Sequence, residues 1–349
     1  MSSSGSVSPG NPAPAPIVAA DEARRQRMRV IARSVGMLPV LIVLGILIQL
    51  ACIHFTGEGR FLTAQNLSIM AQQASINTVL AAGMTFVILT GGIDLSVGSI
   101  LAAAAMVGMI VSKQAGLIGV PAAMLTGLLF GVINGALIAS FRLPPFIVTL
   151  GSLTAVRGFA RLVGNDLTVF DPQLSFAFVG NSSLTIIPGV VSIPCLALIA
   201  FLVVVIAWLI LRRTVLGTHI YAVGGNESAA RLAGINVPGV LLFVYGASGL
   251  LAGVGGVMQA ARLYAANGLQ LGQSYELDAI AAVILGGTSF VGGVGSIWGT
   301  LVGALMIAVL GNGLILLGVS DVWQYIVKGA VIIGAVALDR YRLTGAART

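Results

Sequence analysis

The chain has 349 residues, of which 57% are hydrophobic and only 8% charged, with 46 glycines. A soluble domain carries roughly a quarter charged residues, so the composition excludes a soluble globular protein and points to an integral membrane one. The net charge of +7 does not mark a nucleic-acid binder, because the basic residues gather beside apolar runs, where positive charge sets membrane orientation.

Residues 1–35 open with MSSSGSVSPGNPAPAPIVAA, a stretch without apolar period, and are read as a disordered cytoplasmic tail. Arg24, Arg25, Arg27, Arg29 and Arg33 close that tail. Ten apolar runs follow, at about 37–53, 67–90, 96–112, 117–140, 145–163, 189–211, 238–261, 276–291, 295–317 and 322–338. Each approaches the ~20 residues that cross a hydrocarbon core of about 30 Å as a helix. The first has no small-residue cleavage site and reads as a retained span. Ten is even, which places both termini in the cytoplasm. Twelve basic residues then fall inside and five outside, with Lys328 left within a span. The expected fold is an all-α integral membrane protein with about ten transmembrane helices over 36–340 and a cytoplasmic tail over 341–349.

Two glycine-rich segments interrupt the apolar pattern, ILTGGIDLSVGSI (88–100) and ILGGTSFVGGVGSI (284–297). They read as breaks in membrane helices. Unwound backbone at that depth survives only beside protein or a watery cavity, so Gly91, Gly92, Asp94, Ser96, Gly286 and Gly287 are candidates for a solute path or gate. Asp94 or Ser96 can cap the next half-helix, or Asp94 can contact a solute directly. Phe146, in LPPF, is a further gate candidate. Lys328 needs an acid, a cavity or the interface, and Glu276 and Asp278 are its candidate ion-pair partners. Asn134, Asn312 and Gln324 suit interhelical hydrogen bonds. The fourfold spacings of Gly127, Gly131 and Gly135, and of Gly295, Gly299 and Gly303, suit close helix packing within the subunit.

Cys52 and Cys195 lie in apolar runs, and His54 and His219 fall at opposite ends of spans. A disulfide framework, a metal site and a catalytic pair are all unsupported.

Between two apolar runs lies GTHIYAVGGNESAARLAGINV (217–237). Asn226 is placed to cap a short helix, Glu227 sits where the helix dipole favours an acid, and Gly234 suits a left-handed C-cap. Glu227 and Arg231 are four apart in the favourable order, and Ala229, Leu232 and Ala233 make a small apolar face. Two turns are marginal alone in water, so this helix needs a surface to dock on: its own subunit, the lipid interface or a partner.

This stretch resembles the cytoplasmic loop of the permease subunits of bacterial ATP-binding-cassette importers for ribose and related simple sugars. LTGGIDLSVGS, LPPFIVTLGSL, YELDAIAAVILGGTSFVGGVGSIWGT and VWQYIVKGAVIIGAVALD are similar to further signatures of that family, in order, from about residue 37 to 340. The resemblance implies a type II-like importer permease fold with helices broken at the glycine-rich segments. It also implies a coupling helix at about 226–234, where Asn226, Glu227, Ala229, Ala230, Arg231 and Gly234 engage an ATPase. The Glu-x-Ala-Ala spacing departs by one residue from the strict Glu-Ala-Ala form. The implied partners are a cytoplasmic ABC ATPase, an extracytoplasmic sugar-binding protein, membrane lipid and a second permease subunit, in a homodimer or heterodimer of the bacterial inner membrane. ATP and Mg belong to the partner ATPase and this chain binds no cofactor: Lys113 is followed by Gln and Lys328 by Gly, so no P-loop exists. An ion-coupled secondary transporter and an ABC permease for a non-sugar polar solute are the alternatives. A hydrolase lacks its Gly-x-Ser-x-Gly elbow or zinc motif.

Overall fold

A computed structural model describes residues 37–187 and 191–346; the expected tail over 1–35 lies outside them. Apolar runs become helices in a bilayer because only bonds within the segment can satisfy the backbone there. The long ones are α1 (Leu38–Thr56), α2 (Ala64–Leu89), α3 (Val97–Ala115), α4 (Gly119–Phe141) and α5 (Pro145–Val163). After strand β1 (Thr168–Phe170), the turn α6 (Phe178–Asn181) and strands β2 (Ser183–Ile187) and β3 (Val191–Pro194) come α7 (Cys195–Arg213), α8 (Val215–Gly225), α9 (Glu227–Leu232) and α10 (Val237–Leu263). Strand β4 (Ala265–Asn267), α11 (Tyr275–Leu285), α12 (Ile297–Leu316) and α13 (Asp321–Ala346) complete the chain. Pro39, Pro145 and Pro238 sit in the first two positions of their helices, where a missing N–H costs nothing.

The helical membrane fold is as expected, and two details differ. Among the described residues seven helical stretches are long and apolar enough to cross a membrane. One of them, Val97–Phe141, is folded back at Gly116 into the α3–α4 hairpin, where Gly108 and Gly119 meet so closely that a Cβ on Gly119 would strike the Gly108 carbonyl. The run 276–291 yields only the 11 residues of α11, about 16 Å of helix and half a hydrocarbon core, because its last third is the glycine-rich break. The run at 322–338 lies within α13, which continues to Ala346. Nor is the fold wholly helical. β1 pairs antiparallel with β4 (Thr168 opposite Asn267, Phe170 opposite Ala265), and β2 with β3 (Ser183 opposite Pro194, Thr185 opposite Ser192).

Burial sorts the helices. The most apolar windows of α2 and α10 are 83% and 61% buried, against 11% for α1 and 22% for α5, so α2 and α10 form the centre and α1 and α5 the periphery. The glycine stripes build that centre. Gly127, Gly131 and Gly135 of α4 lie against Gly253, Gly249 and Tyr245 of α10, and Gly299 and Gly303 of α12 against Gly286 and Ala282 at the end of α11. Backbone-to-backbone packing of this kind replaces the hydrophobic drive that lipid cannot supply.

Candidate functional site

The polar helix α9 is capped at both ends. The Ala229 N–H donates to Asn226 Oδ1 at 2.9 Å. Gly234 takes φ +83°, with Gly234 N donating to Arg231 O and Ile235 N to Ala230 O, both at 3.1 Å, a Schellman stop. Arg231 Nη2 donates to Glu227 Oε1 at 2.7 Å on the surface, a pair worth only ~0.3–0.5 kcal/mol. The expected apolar face is the one left open. Ala230 alone is buried, in the apolar cluster that also holds Val223 and Val237, while Ala229, Leu232 and Ala233 are exposed, Leu232 at 90%. The helix is clasped to its own subunit by Ala230 and offers Leu232 outward.

Directly before α9, α8 is seated on both glycine-rich breaks. Each break begins with the same device. After Val87-Ile88-Leu89, Gly91 N donates to Ile88 O and Gly92 N to Val87 O; after Val283-Ile284-Leu285, Gly287 N donates to Ile284 O and Thr288 N to Val283 O. Both are Schellman ends with a glycine at positive φ, Gly91 at +77° and Gly287 at +85°, where a side chain would be strained. Gly293 N crosses between them to Leu89 O at 2.9 Å. Gly224 of α8 lies against the Leu89 carbonyl and the Gly293 N–H, and Tyr221 Oη donates to Gly295 O at 3.0 Å. Burial pushes the Tyr221 phenol above its usual range, which keeps it a donor.

Asp94 is fully buried in the first break. Its Oδ1 accepts from Ser96 N at 3.0 Å and Ser96 Oγ at 2.5 Å, and its Oδ2 from Ser248 Oγ of α10 at 2.8 Å. Asn134 of α4 donates to Ser96 Oγ at 2.9 Å, and Thr149 of α5 to Ile93 O at 3.2 Å. The carboxylate thus fixes the turn just ahead of α3 and ties Ser96 to α10, while Asn134 ties Ser96 to α4; with no exposed surface it meets no solute in this conformation. Phe146 stands outside this network, half exposed at the start of α5.

At the other end of α2 and α11, Lys328 Nζ donates to Asp278 Oδ2 at 2.8 Å. Glu276 does not join that pair and lies instead beside Arg157, whose Nη1 donates to the carbonyls of Gly268 at 3.1 Å and Leu271 at 2.5 Å. The ion pair borders a cavity of about 180 Å³ between α2, α11, α12 and α13. Asn312 forms a reciprocal amide pair with Asn66, at 2.8 and 2.9 Å, and Gln324 donates to Val319 O at 3.0 Å.

Sequence reasoning missed Tyr221, Gly224, Ser248 and Arg157, and the cavity residues Gln73 and Asn77. Gln72-Gln73 and Asn77 inside an otherwise apolar run was the available signal for the cavity. Among the described residues no group of His, Cys, Asp and Glu could hold a metal.

A multi-pass helical bundle with a buried, hydrogen-bonded carboxylate, a polar cavity and a polar helix projecting at one end has the architecture of a membrane-embedded component, and comparison with known proteins places it among transport permeases. Residues 66–336 match the family described as branched-chain amino acid transport system / permease component, and the chain belongs to that family. It is 44% identical to the ribose import permease protein RbsC of Escherichia coli over 84% of this chain and 91% of the relative. It is 44% identical to RbsC of Bacillus subtilis over 80% and 86%, and 41% identical to the D-allose transport system permease protein AlsC of Escherichia coli over 80% and 85%. No solved structure matches the chain. Membership implies an ATPase and a binding protein as partners.

Proposed function

We propose that the chain is the membrane-spanning subunit of an ATP-binding-cassette importer that carries a monosaccharide, ribose or a close relative, across the bacterial inner membrane. The solute comes from an extracytoplasmic binding protein, and a separate ATPase, with its ATP and Mg, supplies the work. A second permease subunit, identical or related, completes the path. Both termini and α9 face the cytoplasm, while Arg157 and the two β ribbons face outward. About ten membrane segments then follow if the α3–α4 hairpin counts twice and α11 and α13 enter the bilayer.

The observation that carries this reading is α9 itself. A two-turn helix held rigid by caps at both ends, with Leu232 90% exposed, is built to meet another protein, and its other face is continuous with α8 and both breaks. Asn226, Glu227, Ala229, Arg231 and Gly234 form the docking helix, and Ala230 anchors it. The ion-coupled alternative requires a carboxylate free to bind and release an ion; Asp94 accepts from hydroxyl and amide donors, Asp278 is held by Lys328, and Glu276 has the Arg157 cation in its field. The sugar names of the relatives favour a monosaccharide over other polar solutes.

Proteoliposomes test the reading. Uptake of ribose or allose should require ATP, the ATPase and the binding protein together, and uptake driven by a proton or sodium gradient alone would overturn it.

A further inference from the structure

The cavity beside the Lys328–Asp278 pair is more polar than a packing defect between membrane helices should be. Gln73 and Asn77 enter it from α2, Tyr275 and Asp278 from α11, and Gln324 and Lys328 from α13. Hydrogen-bonding capacity remains there: Gln73 and Asn77 make no side-chain hydrogen bond among the described residues, Asp278 Oδ1 is unused, and Lys328 has committed one of three protons. Arg262 lines the same space with further donors. A second cavity of about 140 Å³, between α4, α7 and α10, is lined by apolar side chains only. Polarity is therefore a property of the first site and not of cavities in this bundle.

Unused amides and charges inside a bilayer are expensive unless water or a solute meets them. A volume of about 180 Å³ has room for several waters or for one small polar solute. Asp278 offsets Lys328 and leaves Arg262 as one net positive charge, while the rest of the polar lining, four amides and a phenol, is neutral; hydrogen-bonding groups that outnumber the charges suit a polyol's hydroxyls better than a cation. A phenol face with amide donors and acceptors around it is the combination that fits a sugar's apolar face and its hydroxyl edge.

We infer that this cavity is a monosaccharide-binding station on the translocation path, entered from the end of the bundle opposite α9. The inference rests on the importer reading above. It assigns sugar contact to the α2–α11–α13 cavity and not to Asp94.

The test uses the complete transporter, reconstituted with its ATPase and binding protein, and a panel of aldoses that includes ribose and allose. Asn77→Leu and Gln73→Leu should each lower uptake about tenfold, the loss of one hydrogen bond to a sugar, while ATP hydrolysis stimulated by the loaded binding protein stays within about twofold of wild type. Asn77→Gln should recover much of the loss. Independently, Asn77→Cys should react with a membrane-impermeant maleimide added outside, and millimolar sugar should protect it. A merely structural role would lower protein level, hydrolysis and uptake together, and that pattern overturns the assignment. Wild-type uptake with unaffected variants and no protection also overturns it, leaving the importer reading intact. If wild type imports none of the panel with ATP and binding protein, the importer reading falls and the assignment with it.

Discussion

Gly224→Ala adds one methyl group where α8 touches both breaks. A Cβ there would strike the Leu89 carbonyl oxygen and come within 2.6 Å of Gly293 N, the two atoms that share the 2.9 Å bond linking the breaks. Ordinary clearance is about 3.5 Å, so either α8 retreats or the bond opens. The first course costs ~1–3 kcal/mol of overpacking, and the second ~1–3 kcal/mol for the orphaned polar groups. At 1.4 kcal/mol per factor of ten, a strain of that size should cut binding-protein-dependent uptake by about tenfold or more. The caps of α9 and the exposure of Leu232 do not depend on Gly224, so the ATPase should still bind. Gly225→Ala is the matched control: its Cβ would meet nothing within 4 Å, and uptake should match wild type. The assay is uptake per ATP hydrolysed in proteoliposomes, with assembly followed by co-purification. If Gly224→Ala transports as well as Gly225→Ala, α8 does not transmit force through this contact.

Leu232→Asp should leave the permease's own thermal stability unchanged, since the side chain is 90% exposed, yet weaken ATPase association by tenfold or more, because burying a leucine is worth about 1.5–3 kcal/mol; co-purification and titration of labelled ATPase measure it. Lys328→Met should lower stability and membrane level by roughly 3–5 kcal/mol through an uncompensated buried Asp278, and Lys328→Met with Asp278→Asn should recover most of it, read by thermal unfolding in detergent. Asp94→Ala removes the acceptor of three donors and should destabilise by about 2–5 kcal/mol. Asp94→Asn, which retains one acceptor oxygen, should lie between Ala and wild type in the same measurement.

What could be read from the sequence was chiefly what is decided locally. Asn226, Glu227, Arg231 and Gly234 carry their roles in their spacing, because a cap or an i,i+4 pair depends only on residues within one turn. Asp94 was only partly legible: it bonds the residue just ahead of α3 and not an N–H inside the helix, and its third donor, Ser248, lies 154 residues away. Lys328 was narrowed to two acids because few carboxylates occur in membrane segments; the choice of Asp278 over Glu276 depends on how α11 is rotated against α13, which periodicity in an evenly apolar helix does not fix. Which residue of α9 its own subunit holds was not legible for a related reason: alanine and leucine both count as apolar, and only the packed partner decides that Ala230 fits where Leu232 does not. The length of α11 was overestimated because apolar residues continue past Gly286 through the break, and hydropathy does not distinguish coil buried in protein from helix in lipid. The contact among Gly224, Leu89 and Gly293 joins three segments distant in the chain and leaves no local trace.

The two breaks share more than glycine. Val87-Ile88-Leu89 and Val283-Ile284-Leu285 end α2 and α11 in the same hydrogen-bond pattern and at the same register, and one bond, from Gly293 to Leu89, makes their loops a single unit under α8. A displacement of α8 therefore cannot reach one break without the other. Schellman ends suit this duty, since the helix above keeps its own bonds while the glycine at positive φ lets the following chain swing. Above the junction α2 and α11 are helical rods, and both line the polar cavity, α2 at its middle through Asn77 and α11 near its far end through Asp278. A relative tilt of those two rods changes the width of the cavity at the position of the Lys328–Asp278 pair. On the proposed reading, a push on α9 from outside the bilayer would therefore reach the place where a polar solute is held.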